Sequence, residues 1–189
     1  MKVEKTPLDG VLVLEPAVYR DDRGGFFEAW HRGRYAEAGL PSEFVQDNFS
    51  FSRRGVLRGL HFQHPQPQGK LVSVLDGEVY DVAVDVRAGS PTFARWVGVT
   101  LSGENRRQLW VPPGFAHGFC VTSETALVGY KCTDFYAPGS EGTLIWNDPR
   151  VSVAWPTSEP VMSAKDRAGR TLQELERANA LPRLTASIV

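Results

Sequence analysis

Along most of the chain, apolar and polar positions alternate with a period of two, as expected of strands that bury one face. The clearest run covers residues 78–86. Tyr80, Val82, Val84 and Val86 form one apolar face, while Asp81 and Asp85 share the other with Val79 and Ala83. That pattern predicts a strand with one clearly buried side. Similar short runs occupy 11–14, 26–30, 56–62, 70–75, 95–101, 108–111, 118–122, 126–132 and 143–146. Turn residues separate them, among them Asp9-Gly10, Arg23-Gly24-Gly25, Asp76-Gly77, Pro112-Pro113-Gly114 and Pro138-Gly139. Many short strands at spacings of roughly 8–12 residues predict a sandwich or barrel. Two segments read as helical: 32–38, stopped by Gly39, and 171–178, where Thr171 and Glu174 match a capping box. The stretch from Pro156 onward is expected to pack outside the β core. The whole pattern predicts one all-β domain over 1–189, a jelly-roll barrel with short peripheral helices.

Composition narrows the function. The 189 residues favour a single domain, and 18 Gly with 13 Pro supply its many corners. Lys+Arg number 21 against 22 Asp+Glu, a net charge of −1, so no global field draws nucleic acid or an anionic membrane. The longest apolar runs, such as Val11-Leu12-Val13-Leu14, fall far short of the roughly 20 residues that span a bilayer. Glu4 and Asp9 stand where a signal peptide needs an uninterrupted apolar stretch. Cys120 and Cys132 cannot build a disulfide framework and show no metal-ligand spacing. A cytoplasmic protein with no membrane or nucleic-acid partner is expected.

The candidate chemistry is organic. Of the four histidines, His61 and His64 are three apart in a predicted strand, hence on opposite faces, so no metal site is expected. Polar groups interrupt the buried-looking strand Arg58-Gly59-Leu60-His61-Phe62-Gln63. A lone strand histidine is most often a satisfied core residue. Here Arg53, Arg54, Arg58 and Lys70 lie nearby in sequence, and clustered cations of this kind can pair with phosphates. Strand parity sets His61 on the opposite face from Arg58, so joint action requires a kink, for which Gly59 is suited. Tyr130, in Tyr130-Lys131-Cys132-Thr133-Asp134, offers a neutral proton donor with an ordinary pKa of about 10. Ser163-Ala164-Lys165-Asp166 reads by itself as an exposed charged turn. Gln46-Asp47-Asn48 and His117, in Pro113-Gly114-Phe115-Ala116-His117-Gly118, complete the set. Taken singly, none of these clusters identifies a reaction.

Taken together and in order, these motifs resemble the dTDP-4-dehydrorhamnose 3,5-epimerase family of nucleotide-sugar epimerases. Further matching segments are Asp22-Arg23-Gly24, Phe27-Glu28, Gly69-Lys70-Leu71-Val72, Asp81-Val82-Ala83-Val84-Asp85, Trp146-Asn147-Asp148-Pro149 and Lys165-Asp166. The collinear series covers roughly residues 6–176, which makes it far more specific than any one motif. The resemblance implies a cupin-type jelly roll, a homodimer, and no metal or redox cofactor. It implies a dTDP-linked 4-keto-6-deoxy sugar as substrate, whose C3 and C5 protons flank the C4 ketone. His61 is then the general base, oriented by Asp166; Tyr130 is the acid on the opposite face; Lys70 stabilises the C4 oxyanion. Arg23, Glu28, Gln46, Asn48, Arg58, His117, Glu141 and Lys165 match family positions that contact nucleotide, diphosphate or sugar. Two positions depart from the pattern: Phe49 where many members have histidine, and Gly139 where an acid is common. A relative that inverts C3 alone shares all these motifs, so the alternative expectation is a C3-only epimerase.

Overall fold

The expected alternation forms two facing antiparallel sheets in the computed structural model, which describes residues 1–184. The last five positions of the expected 1–189 domain lie outside the described residues. In chain order the strands are β1 (Lys2–Lys5), β2 (Leu12–Glu15), β3 (Val18–Asp21), β4 (Gly24–Phe27), β5 (Gln46–Arg53), β6 (Leu57–Gln63), β7 (Lys70–Asp76), β8 (Glu78–Asp85), β9 (Trp96–Ser102), β10 (Gln108–Val111), β11 (Phe115–Val121), β12 (Thr125–Cys132) and β13 (Glu141–Thr143). The short helices are α1 (Arg32–Glu37), α2 (Ala164–Arg167) and α3 (Leu172–Arg177). One sheet runs β1-β2-β10-β7-β12-β5 and the other β13-β6-β11-β8-β9; β3 and β4 form a separate hairpin. This is an all-β, jelly-roll arrangement with peripheral helices. Among the described residues, no helix is long and apolar enough to cross a membrane.

The core between the sheets is built by Val72, Val74, Leu109 and Val111 from one side and Val79, Ala83, Phe119 and Val121 from the other. A second core lies outside the five-stranded sheet. There Leu60, Val82, Val84 and Ala116 meet Leu144, Leu172, Leu175 and Leu181, so the C-terminal segment covers that face as expected. The cover corrects one reading of β8. Its Asp81 face is not an open side: Asp81 and Ala83 point between the sheets while Val82 and Val84 pack under the tail, and all four are fully buried. Helix α3 is fastened by the predicted capping box, with Thr171 and Glu174 bonded reciprocally. Asp148, itself buried, accepts from the backbone N–H of Val151 and of Leu172 and ties the tail to the preceding loop.

Candidate active site

One end of the space between the sheets is left unfilled by apolar side chains, and polar residues line it instead. Two adjoining lobes, of about 350 and 420 Å³, share His61, Lys70 and Tyr130. The strands explain how these residues converge. On β7 the inward positions Val72 and Val74 belong to the core, and Lys70 continues the same face into the cavity. On β12, Val128 is core, and Tyr130, opposite Val72, is the next inward position. The edge strand β5 adds Gln46 and Asn48, set opposite Cys132 and Tyr130.

The other sheet supplies His61, and here the local backbone decides the geometry. β6 pairs with β11 so that His61 faces His117 and Arg58 faces Phe119, three residues on one strand matching two on the other. The extra residue is a bulge centred on Gly59, whose φ of +115° favours glycine. A Cβ there would lie 2.7 Å from the Cα of Gly118 and from the His117 carbonyl oxygen. The bulge shifts the strand phase by one, so Arg58 and His61 both turn to the same cavity lobe. This is the kink that joint action required.

His61 bonds through Nε2 to Asp166 Oδ1 at 2.6 Å. Asp166 sits on α2 and is buried, and its backbone N–H donates to the Ser163 hydroxyl that caps the start of the helix. Burial pushes its carboxyl up, but the His61 hydrogen bond and charge, with help from Ser163 and the Gly59 backbone, hold it below the usual carboxylate range. A carboxylate can only accept, so Nε2 carries a proton, and in the neutral form of the ring the lone pair falls on Nδ1. Opposite, burial raises the Tyr130 hydroxyl above its ordinary value and keeps it a proton donor at neutral pH. Burial lowers the Lys70 ammonium, whose Nζ lies 6.0 Å from the Tyr130 ring centroid. Beside it, Asn48 Nδ2 approaches the Cys132 thiol at 3.6 Å.

Most of the remaining candidates fall where expected. Arg58, His117 and Lys165 line the larger lobe; Gln46, Asn48 and Glu141 line the smaller. Gln46 also has a scaffolding bond, since its Oε1 accepts from the Tyr136 N–H at 2.9 Å. Arg23 and Glu28 are not brought in. Arg23 pairs with Asp21 in the β3–β4 hairpin, Glu28 pairs with Arg34 of α1, and neither lines either lobe.

Three features escaped the sequence. Asp81 holds His117 Nε2 at 2.9 and 3.1 Å from deep in the core, visible beforehand only as one of two aspartates on the same face of a strand. The Tyr136 hydroxyl donates to Glu141 at 2.7 Å, and Glu141 also takes Lys165, making a charged rim. Ser50 and Ser52 stand on the inward face of β5, a strand no alternation had marked.

An imidazole bonded to a buried carboxylate, a tyrosine hydroxyl on the opposite sheet and a lysine lining the same cavity form an arrangement able to move protons, set in a jelly roll. The family model for dTDP-4-dehydrorhamnose 3,5-epimerase matches residues 5–174. The dTDP-4-dehydrorhamnose 3,5-epimerase of Pseudomonas aeruginosa is 53% identical over 178 residues, 93% of this chain and 98% of that protein. The crystal structure of a Legionella pneumophila dTDP-6-deoxy-D-glucose-3,5-epimerase in complex with dTDP-4-keto-L-rhamnose superposes with a TM-score of 0.93 at 53% identity, covering 98% and 99% of the two chains. A dTDP-4-dehydrorhamnose 3-epimerase of Streptomyces niveus is 38% identical, covering 96% of this chain and 89% of its own. The chain belongs to the dTDP-4-dehydrorhamnose 3,5-epimerase family. It is an isomerase of the epimerase class.

Proposed function

We propose that the cavity inverts C3 and C5 of a dTDP-linked 4-keto-6-deoxyhexose, a step of deoxysugar biosynthesis in the cytoplasm. The observation that carries this reading is the placement of His61 and Tyr130 on opposite sheets across one cavity, with Lys70 lining it beside Tyr130. His61 Nδ1 takes the proton from the carbon beside the ketone, and the C–H electrons move onto the C4 oxygen to give an enolate. The imidazolium so formed is stabilised by Asp166. Lys70 stabilises the oxyanion, a contribution on the order of 3–4 kcal/mol for such a donor. The Tyr130 hydroxyl then protonates the opposite face of the same carbon, which inverts it, and proton exchange with solvent resets both groups. Arg58, His117 and Lys165 serve the diphosphate, while Gln46, Asn48 and Glu141 serve base and sugar.

The same reading includes a homodimer. Tyr19, Phe26, Phe49 and Phe51 are each 64–71% exposed, a large apolar outlay for an isolated chain. Arg23 and Glu28 match nucleotide-contacting positions yet stand away from the cavity of their own chain, so they reach substrate from a second copy. Free, buried Cys120 and Cys132 suit a reducing compartment.

The test is incubation with dTDP-4-keto-6-deoxyglucose in deuterium oxide, following label at C3 and C5 by NMR. Label at both carbons is expected. Label at C3 alone gives instead the C3-only reading, which the Streptomyces niveus relative favours. Absence of exchange at both carbons sinks the epimerase reading for this substrate. His61→Ala is expected to abolish exchange, and Tyr130→Phe to impair inversion more than abstraction.

A further inference from the structure

Arg58 is held differently from several other cations of the chain. Lys165 pairs with Glu141, Lys131 with Asp47 and Arg23 with Asp21. Arg58 instead donates from Nε to the hydroxyl of Ser52 at 2.9 Å, and a terminal amine approaches the Phe51 carbonyl at 3.4 Å. Both anchors are neutral. Ser52 is buried on the inward face of β5, opposite Ala126, so the hydroxyl is fixed by the sheet and not by solvent. The Gly59 bulge turns Arg58 toward that strand.

The choice of anchor has an electrostatic consequence. A guanidinium is a rigid five-donor fork on a flexible stem, and two donors spent on fixed acceptors orient the remaining three. A carboxylate would orient it more firmly, but would also cancel the charge that an incoming anion must find. A buried hydroxyl orients without cancelling. We infer that Ser52 is a positioning residue for substrate binding: it aims the Arg58 guanidinium into the cavity with its charge intact, for the diphosphate of a nucleoside-diphosphate sugar. The inference rests on the reading above that Arg58 meets the diphosphate. The diphosphate is remote from C3 and C5, so this contact is equal in ground and transition states and bears on KM, not kcat.

Calorimetric titration with dTDP and with thymidine, beside steady-state kinetics, tests it in the full-length protein. Ser52→Ala should weaken dTDP binding and raise KM on the order of tenfold, with kcat within about twofold of the parent. Ser52→Thr, which keeps the hydroxyl, should restore both. Ser52→Asp is the decisive variant: it keeps the tether but neutralises the fork. It should bind dTDP more weakly than Ser52→Ala and lose much of the salt dependence of that binding. Thymidine affinity should be the same in all four proteins, which separates the role from general damage to the barrel. The inference is overturned if Ser52→Asp binds dTDP as well as the parent does, or if thymidine affinity falls in step with dTDP affinity. A parent protein that neither binds dTDP nor exchanges label overturns the functional reading, and this inference with it.

Discussion

Lys70 sits where the fold would be better served by an apolar residue. Its neighbours along the inward face of β7, Val72 and Val74, are core, and burial lowers its ammonium below the ordinary lysine range. A folded state that binds the proton less tightly than the unfolded chain loses stability wherever the unfolded chain is protonated. The penalty is therefore full below the folded-state value and fades as pH rises from there toward the ordinary lysine value of about 10.4. Lys70→Met should raise Tm by roughly 2–4 °C at pH 7, with the gain shrinking at higher pH. The same variant should lose about 10²–10³-fold in kcat, because the enolate oxygen loses its cation. Paired melting curves across pH and a turnover assay check both halves. A variant less stable than the parent at pH 7 contradicts the burial argument.

The strands divide into those whose amphipathicity points the ordinary way and one that is turned inside out. β2, β7, β10 and β12 carry apolar residues toward the core and were legible at once from their alternation. β5 was missed because its inward residues, Gln46, Asn48, Ser50 and Ser52, are polar and its outward ones include exposed Phe49 and Phe51. A strand with polar residues facing a cavity and exposed aromatics on its other face reverses the usual rule, so periodicity alone could not place it. α2 was equally opaque: Ser163 to Asp166 read as an exposed turn, and only tertiary packing buries Asp166. The chemistry was more legible than these elements, since the resemblance selected His61, Lys70, Tyr130 and Asp166, and the cavity gathers them. Parity made joint action of Arg58 and His61 conditional on a kink for which Gly59 is suited, and the bulge found there carries its own prediction. Gly59→Ala meets both a positive φ and backbone atoms at 2.7 Å. It should cost on the order of 3 kcal/mol, or roughly 6–12 °C in Tm. Activity should fall beyond what unfolding explains, because Arg58 and His61 leave their common phase.

For the whole molecule, the proposed dimer makes each cavity a shared structure, and hybrids read this directly. Arg23→Ala and His61→Ala should each be nearly inactive alone. Unfolded together and refolded as a random mixture, they should recover roughly a quarter of parental activity, since half the dimers then carry one intact cavity. No recovery, with mixed dimers verified by mass spectrometry, would place Arg23 in its own chain's site or outside any site. Assembly also bears on the order in which the machinery becomes competent. Asp166 lies on α2, after the last strand of either sheet. A polypeptide emerging from the ribosome therefore completes every strand of the barrel before the carboxylate that orients His61 has been synthesised. In order of synthesis, the strands of both sheets thus precede both the carboxylate that bonds His61 and the tail residues that close the core outside the five-stranded sheet.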